Sequence, residues 1–190
     1  MRVGVVHHLG WAVAVAAVAD GTVLLRERLD LVEEGLPPAP IHHHGGTHPM
    51  HTSGAPLDDE DLATLVSTVR RSVERATSTA LAGLEAAAPQ PITALAVRAW
   101  PANFPEELTT LRRPPYESRA DSFLYCQVLA AEARSRGWAV HRFDPKTVEA
   151  EAAAISGPRA AAVVAEARAH WGPPWTKDHR IALAAAICAS

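Results

Sequence analysis

The residues with most chemistry to offer are scattered along the chain. His7 and His8 stand together near the N-terminus, Glu117 and Asp121 flank one helix start, and Asp178 and His179 sit between Lys177 and Arg180. Five of the ten histidines, His42, His43, His44, His48 and His51, crowd one loop at about 37–56. Imidazole with carboxylate suits Zn2+, Mn2+ or Fe2+ and suits Mg2+ poorly. Such an ion can turn bound water into a nucleophile near neutral pH. Arg98, Arg112, Arg113, Arg119 and Arg180 suit phosphate, which guanidinium holds bidentately.

Each group also has a plainer use. Asp121 can complete a helix cap, and Glu117 can be a solvated loop charge. An acid such as Asp178 gains roughly 0.3–1 kcal/mol simply from lying near a helix start. His7 can be a satisfied core histidine, and neighbouring strand residues face opposite sides, so His7 and His8 cannot both face one site. The histidine tract matches no zinc spacing and serves equally as loop or interface. Arginine is nearly the only cation, since Lys146 and Lys177 are the only lysines. There is no glycine-rich phosphate loop and no Gly-x-Ser-x-Gly elbow. Cys126 and Cys188 fall on apolar helix faces without an activating partner.

These groups must be held by a regular frame. Val3 to Val6 and Trp11 to Val18 read as strand, with a break at His8-Leu9-Gly10, and Thr22 to Val32 reads as an antiparallel partner. Asp20-Gly21 is a hairpin turn signal. Pro37 to Gly54 reads as loop, with a short strand near Ile41–His44. Asp58 caps a helix whose Leu62, Leu65, Val66, Val69, Val73 and Leu84 recur at helical spacing, and Pro89 and Pro91 end it. Ile92 to Trp100 is a central strand, and Pro101 to Tyr116 is irregular. Ser118 with Asp121 suggests a capping box opening a helix to Arg136. Gly137 ends it, and Trp138 to Phe143 is a further strand. Helices follow from Asp144-Pro145 and after Gly157-Pro158. Thr176 caps the last one, which runs through Ala189. The order predicts an α/β fold: a mixed sheet of leading antiparallel strands, then alternating helices and strands, with helices on its faces.

With 190 residues, one domain is expected over 1–190. A hydrophobic fraction of 48% argues against disorder. A net charge of -3 disfavours a surface that grips nucleic acid by bulk charge, though a local arginine patch remains compatible. The apolar stretch Leu9 to Ala19 is about half of a membrane span. It reads as strand rather than signal peptide, so no membrane association is expected. Two cysteines without metal-pair spacing suit a reducing cytoplasm.

Several segments resemble known families. Ala120-Asp121-Ser122 opening a helix, Phe143-Asp144-Pro145-Lys146-Thr147-Val148, and Asp178-His179-Arg180-Ile181-Ala182-Leu183-Ala184 are similar to the RuvC-type resolvases. The element order resembles the wider ribonuclease H-like fold. His7-His8-Leu9-Gly10-Trp11, Pro115 to Ser122 and Gly172 to Arg180 also resemble a bacterial family with no assigned activity. The ribonuclease H-like resemblance implies a metal-dependent nuclease, with an aspartate on the first strand, a glutamate on the fourth and acids on the last helix. Here His7, Arg98 and Ile181 occupy three of those places, and Asp178 alone is acidic. Two-metal chemistry needs several anionic oxygens around ions about 4 Å apart.

The resemblance also implies that His7, His8, Glu117, Asp121, Asp178 and His179 approach one sheet edge. Two readings follow. In the first, the chain is a metal-dependent phosphodiesterase with a diverged, histidine-containing site. His7, Asp178 and Asp121 would hold Mn2+ or Zn2+, with Mg2+ disfavoured. Glu117 could complete the shell, His179 would act as general acid, and Arg119 and Arg180 would hold phosphate. In the second, it is a catalytically inactive ribonuclease H-like binding or scaffold module for nucleic acid or protein, with homodimer formation compatible.

Overall fold

Gly4 determines how closely the last helix can approach the sheet. The computed structural model describes residues 1–47 and 55–189. A Cβ at position 4 would run into the Ala182 carbonyl and the Ala186 amide. Only glycine therefore lets α6 (Lys177–Cys188) lie flat on β1 (Arg2–His7).

Around β1 the sheet grows in both directions. β2 (Trp11–Ala17) pairs antiparallel with it, and β3 (Val23–Asp30) pairs antiparallel with β2. On the other side β4 (Ala94–Arg98) and β5 (Ala139–Phe143) run parallel to β1. The order is β3-β2-β1-β4-β5. The expected break at His8-Leu9-Gly10 is a full chain reversal, with His7 paired opposite Ala12 and Gly10 at φ 88. The second reversal uses Gly21, also at φ 88, and the Thr22 N–H donates to the Asp20 carboxylate at 2.9 Å.

Parallel strands need crossover helices. α1 (Asp59–Ala87) links β3 to β4, and α3 (Glu117–Ser135) links β4 to β5. Asp58 caps α1 by accepting the Asp61 N–H, as its position predicts. α1 and α3 cover one face, packing Val69, Val73 and Leu129 against Val3, Val5 and Leu95. On the opposite face lie α4 (Val148–Ser156), α5 (Ala160–Trp171) and α6, with Leu183 and Ile187 against Val13 and Val15. Burial of both faces explains why β1, β2 and β4 are almost continuously apolar. Each fully buried Val or Leu contributes about 1.5–3 kcal/mol.

Two local expectations differ. Ile41–Gly45 forms one π-helical turn where a short strand was expected. The segment after β4, read as irregular, contains a short helix, α2 (Leu108–Leu111). His48 and His51 of the histidine loop lie outside the described residues. Among the described residues, no helix is long and apolar enough to cross a membrane.

Candidate functional site

β1 ends in the middle of the sheet edge, so its last side chains are held from both flanks. His7 continues the row of Val3 and Val5 toward α3 and is only 7% exposed. Its Nε2 lies 3.0 Å from Ser122 Oγ and 3.5 Å from Cys126 Sγ. Burial, and after it the charges of Arg98 and His8, lowers the His7 pKa to about 4. The ring is therefore neutral near pH 7. His8 turns to the other side, as strand alternation predicts. Its Nε2 is 3.0 Å from Asp178 Oδ2, and its ring stacks on Trp11 at 4.2 Å between centroids.

The α3 acids accept backbone amides from the segment before α1. The capping box at Ser118 does not form: Tyr116 is the N-cap of α3 and makes no side-chain cap bond. Asp121 instead accepts the N–H groups of Ile41 (3.2 Å) and His42 (2.9 Å). Glu117 accepts the Thr47 N–H at 2.9 Å, and the Tyr125 hydroxyl donates to the Pro38 carbonyl at 2.8 Å. Residues 117, 121 and 125 are spaced four apart and share one helix face. This row fastens the Pro38–Thr47 segment onto α3. Burial raises the Asp121 pKa to about 6, against the opposing pull of the two amides.

At the start of α6, His179 acts as a cap. Its Nδ1 accepts the Thr176 N–H at 3.1 Å and lies 2.8 Å from Thr176 Oγ1. Burial first, and then Arg26, lowers its pKa, while Asp178 opposes the shift. Arg180 pairs with Glu149 at 3.3 Å. Arg112 donates to the Gly45 and Leu57 carbonyls and pairs with Asp59, which leaves it no free fork for phosphate.

Of the six expected site residues, His8 and Asp178 are in direct contact, and Asp178 and His179 line one cavity of about 400 Å3 beside Trp11 and Arg26. His7 contacts Ser122, Asp121 and Glu117 contact backbone amides, Asp178 contacts His8, and His179 contacts Thr176. Among the described residues, no group of three or more His, Cys, Asp or Glu side chains is arranged to hold a metal ion. The donor set does not fit the pair of divalent cations that the resemblance implies.

A different constellation lies at the C-terminal ends of β4 and β5, where open α/β sheets place their ligands. A cleft of about 460 Å3 is lined there by Arg98, Ser118, Arg119, Ser122, Asp144 and Lys146. Arg98 ends β4, Ser118, Arg119 and Ser122 lie in the first turns of α3, and Lys146 follows β5. Asp144 Oδ1 accepts the Lys146 N–H at 2.9 Å, which fixes the turn. Among the described residues, Arg98, Arg119 and Lys146 make no ion pair. A larger hollow of about 580 Å3 lies between β3 and α1. Its arginines are already paired, Arg75 with Glu33 and Arg28 with Asp30, so it offers less unsatisfied charge.

Ser122 and His7 have the spacing of a nucleophile and its base. A base with a pKa near 4 beside Arg98 accepts a proton poorly. Its Nδ1 is 3.7 Å from Cys126 Sγ, and among the described residues no carboxylate is hydrogen-bonded to the ring. The pair holds the serine hydroxyl at the cleft wall. Ser122 and Lys146 were not among the expected site residues. The arginine excess was the one signal available, and it pointed to Arg98 and Arg119 equally with Arg112 and Arg180.

No protein-family model matches the chain, and no curated protein matches it as a relative.

Proposed function

We propose that the chain is a ribonuclease H-like module that binds phosphate-bearing nucleic acid in the Arg98–Arg119–Lys146 cleft, without a two-metal centre. The convergence at the C-terminal ends of β4 and β5 of three cations without an ion pair among the described residues carries this reading. Like charges lining one cleft repel, and a bound anion relieves that repulsion. Support for the fold assignment comes from the antiparallel run β1-β2-β3 followed by helix-linked parallel β4 and β5. That is the sequence of elements the resemblance implies. The phosphodiesterase reading is the weaker one, because the oxygens of Asp121 and Glu117 are engaged by amides.

Fluorescence anisotropy with a labelled single-stranded oligonucleotide tests the proposal. Binding should weaken with salt, persist in chelator, and fall about tenfold or more in an Arg98→Gln/Arg119→Gln double variant. Retention of wild-type affinity in that variant overturns the assignment. So does strand cleavage that chelator abolishes.

A further inference from the structure

We infer that the cleft is selective for a phosphate monoester dianion over an internal phosphodiester, an inference that rests on the binding reading above. The first ground is charge. Arg98, Arg119 and Lys146 contribute three positive charges and Asp144 one negative, which leaves an excess of two. An internal phosphodiester carries a single negative charge, whereas a monoester near pH 7 carries about 1.5 to 2. Only the monoester comes close to neutralising the site.

The second ground is donor geometry. A monoester presents three terminal oxygens. The two guanidinium groups offer forks, and Lys146 offers a mobile ammonium. Ser118 and Ser122 supply hydroxyls, and the Ser122 Oγ is positioned by His7 at 3.0 Å. Asp144 is the one carboxylate in the lining, and its Oδ1 is occupied by the Lys146 N–H.

The third ground is the lack of stacking surface. Proteins that track single strands use exposed aromatic platforms. Here the lining aromatics, Phe123 and Phe143, are buried. Trp100, next to the lining residue Pro101, is covered by the Arg142 guanidinium at 3.7 Å from its ring centroid. The volume of about 460 Å3 lies within the range of small-ligand sites. The cleft therefore recognises the phosphoryl group and leaves the base unread. Either a strand end or a free mononucleotide could present it.

The test compares one labelled oligonucleotide carrying a 5′-phosphate, a 3′-phosphate or hydroxyl ends, with adenosine monophosphate and inorganic phosphate as competitors. Wild-type protein should bind one phosphorylated end about tenfold more tightly than the hydroxyl form. Arg119→Gln and Lys146→Gln, both exposed positions, should reduce that preference to less than about twofold, while Arg180→Gln should preserve it. Tighter binding of the oligonucleotide than of the mononucleotide identifies a strand end as the source, and equal binding identifies the free monoester. Equal affinity for phosphorylated and hydroxyl strands, weakened alike by the cleft variants, overturns monoester selectivity but leaves the nucleic-acid module intact. No binding of any oligonucleotide or competitor removes both.

Discussion

The Nε2 of His7, on the central strand, lies 3.0 Å from the Oγ of Ser122, on the helix that covers it. This contact connects the core to the cleft wall. A buried neutral ring holds a half-buried hydroxyl in one orientation toward the cationic lining. The His7 imidazole signals should titrate by NMR with a midpoint near 4, as burial and Arg98 require. A midpoint near the ordinary 6.5 would mean that the ring is not enclosed. Ser122→Ala should weaken binding of a 5′-phosphorylated oligonucleotide by about two- to tenfold, the equivalent of one lost hydrogen bond. An unchanged affinity would remove Ser122 from the site.

His7 and Asp121 impose opposite pH dependences on stability. The native His7 pKa is about 4 against an unfolded value of 6.5. Between these values the unfolded chain binds the extra proton, so stability falls as pH falls. Asp121 has a native pKa of about 6 against 3.8. There the native state binds the extra proton, and stability rises as pH falls. The two slopes nearly cancel from about pH 6 to pH 4. Asp121→Asn removes one of them. Urea unfolding should then show wild type gaining on the variant by about 2 kcal/mol as pH falls from 6 to 4. Parallel pH profiles for the two proteins would refute the assignment.

The strands and long helices were legible because their causes are local. The apolar runs at Val3 and Trp11, the stripe from Leu62 to Leu84, and the Asp58 cap all produce the elements they predict. The histidine segment was not legible. Its turn is held by Glu117, Asp121 and Tyr125, some 70 to 90 positions away, and its own residues give no sign of them. Ser118 and Asp121 imitated a capping box because the spacing of three is the same. What redirected Asp121 was the approach of two distant amides. The cleft was hidden for a similar reason. Arg98, Arg119 and Lys146 meet only because β4 and β5 are neighbours and α3 crosses between them.

Gly4 should be the least replaceable residue of the central strand. An alanine methyl there meets backbone atoms of α6, and backbone cannot rotate aside as a side chain can. Gly4→Ala should destabilise the protein toward the top of the overpacking range, about 3 kcal/mol, with a matching shift in urea midpoint. Gly83, in α1, has open space around it. Gly83→Ala should instead stabilise by about 0.5–1 kcal/mol through helix propensity. Equal effects of the two substitutions would show that α6 does not lie against β1 as closely as described.

Asp178 separates the two functional readings. Its contact with His8 is partly exposed, at 29% and 41% side-chain exposure for Asp178 and His8. Such a pair contributes about 0–1 kcal/mol. Asp178→Ala should therefore move the unfolding midpoint little and leave oligonucleotide binding intact. Calorimetric titration of chelator-treated protein with Mn2+ should give no stoichiometric binding that this substitution abolishes, because Asp121 and His7 are engaged elsewhere. Stoichiometric Mn2+ binding lost in Asp178→Ala would bring back the metal-dependent phosphodiesterase. It would also move the chemistry from the α3 side of the sheet to the α6 side, where His8 is the imidazole already in contact with Asp178.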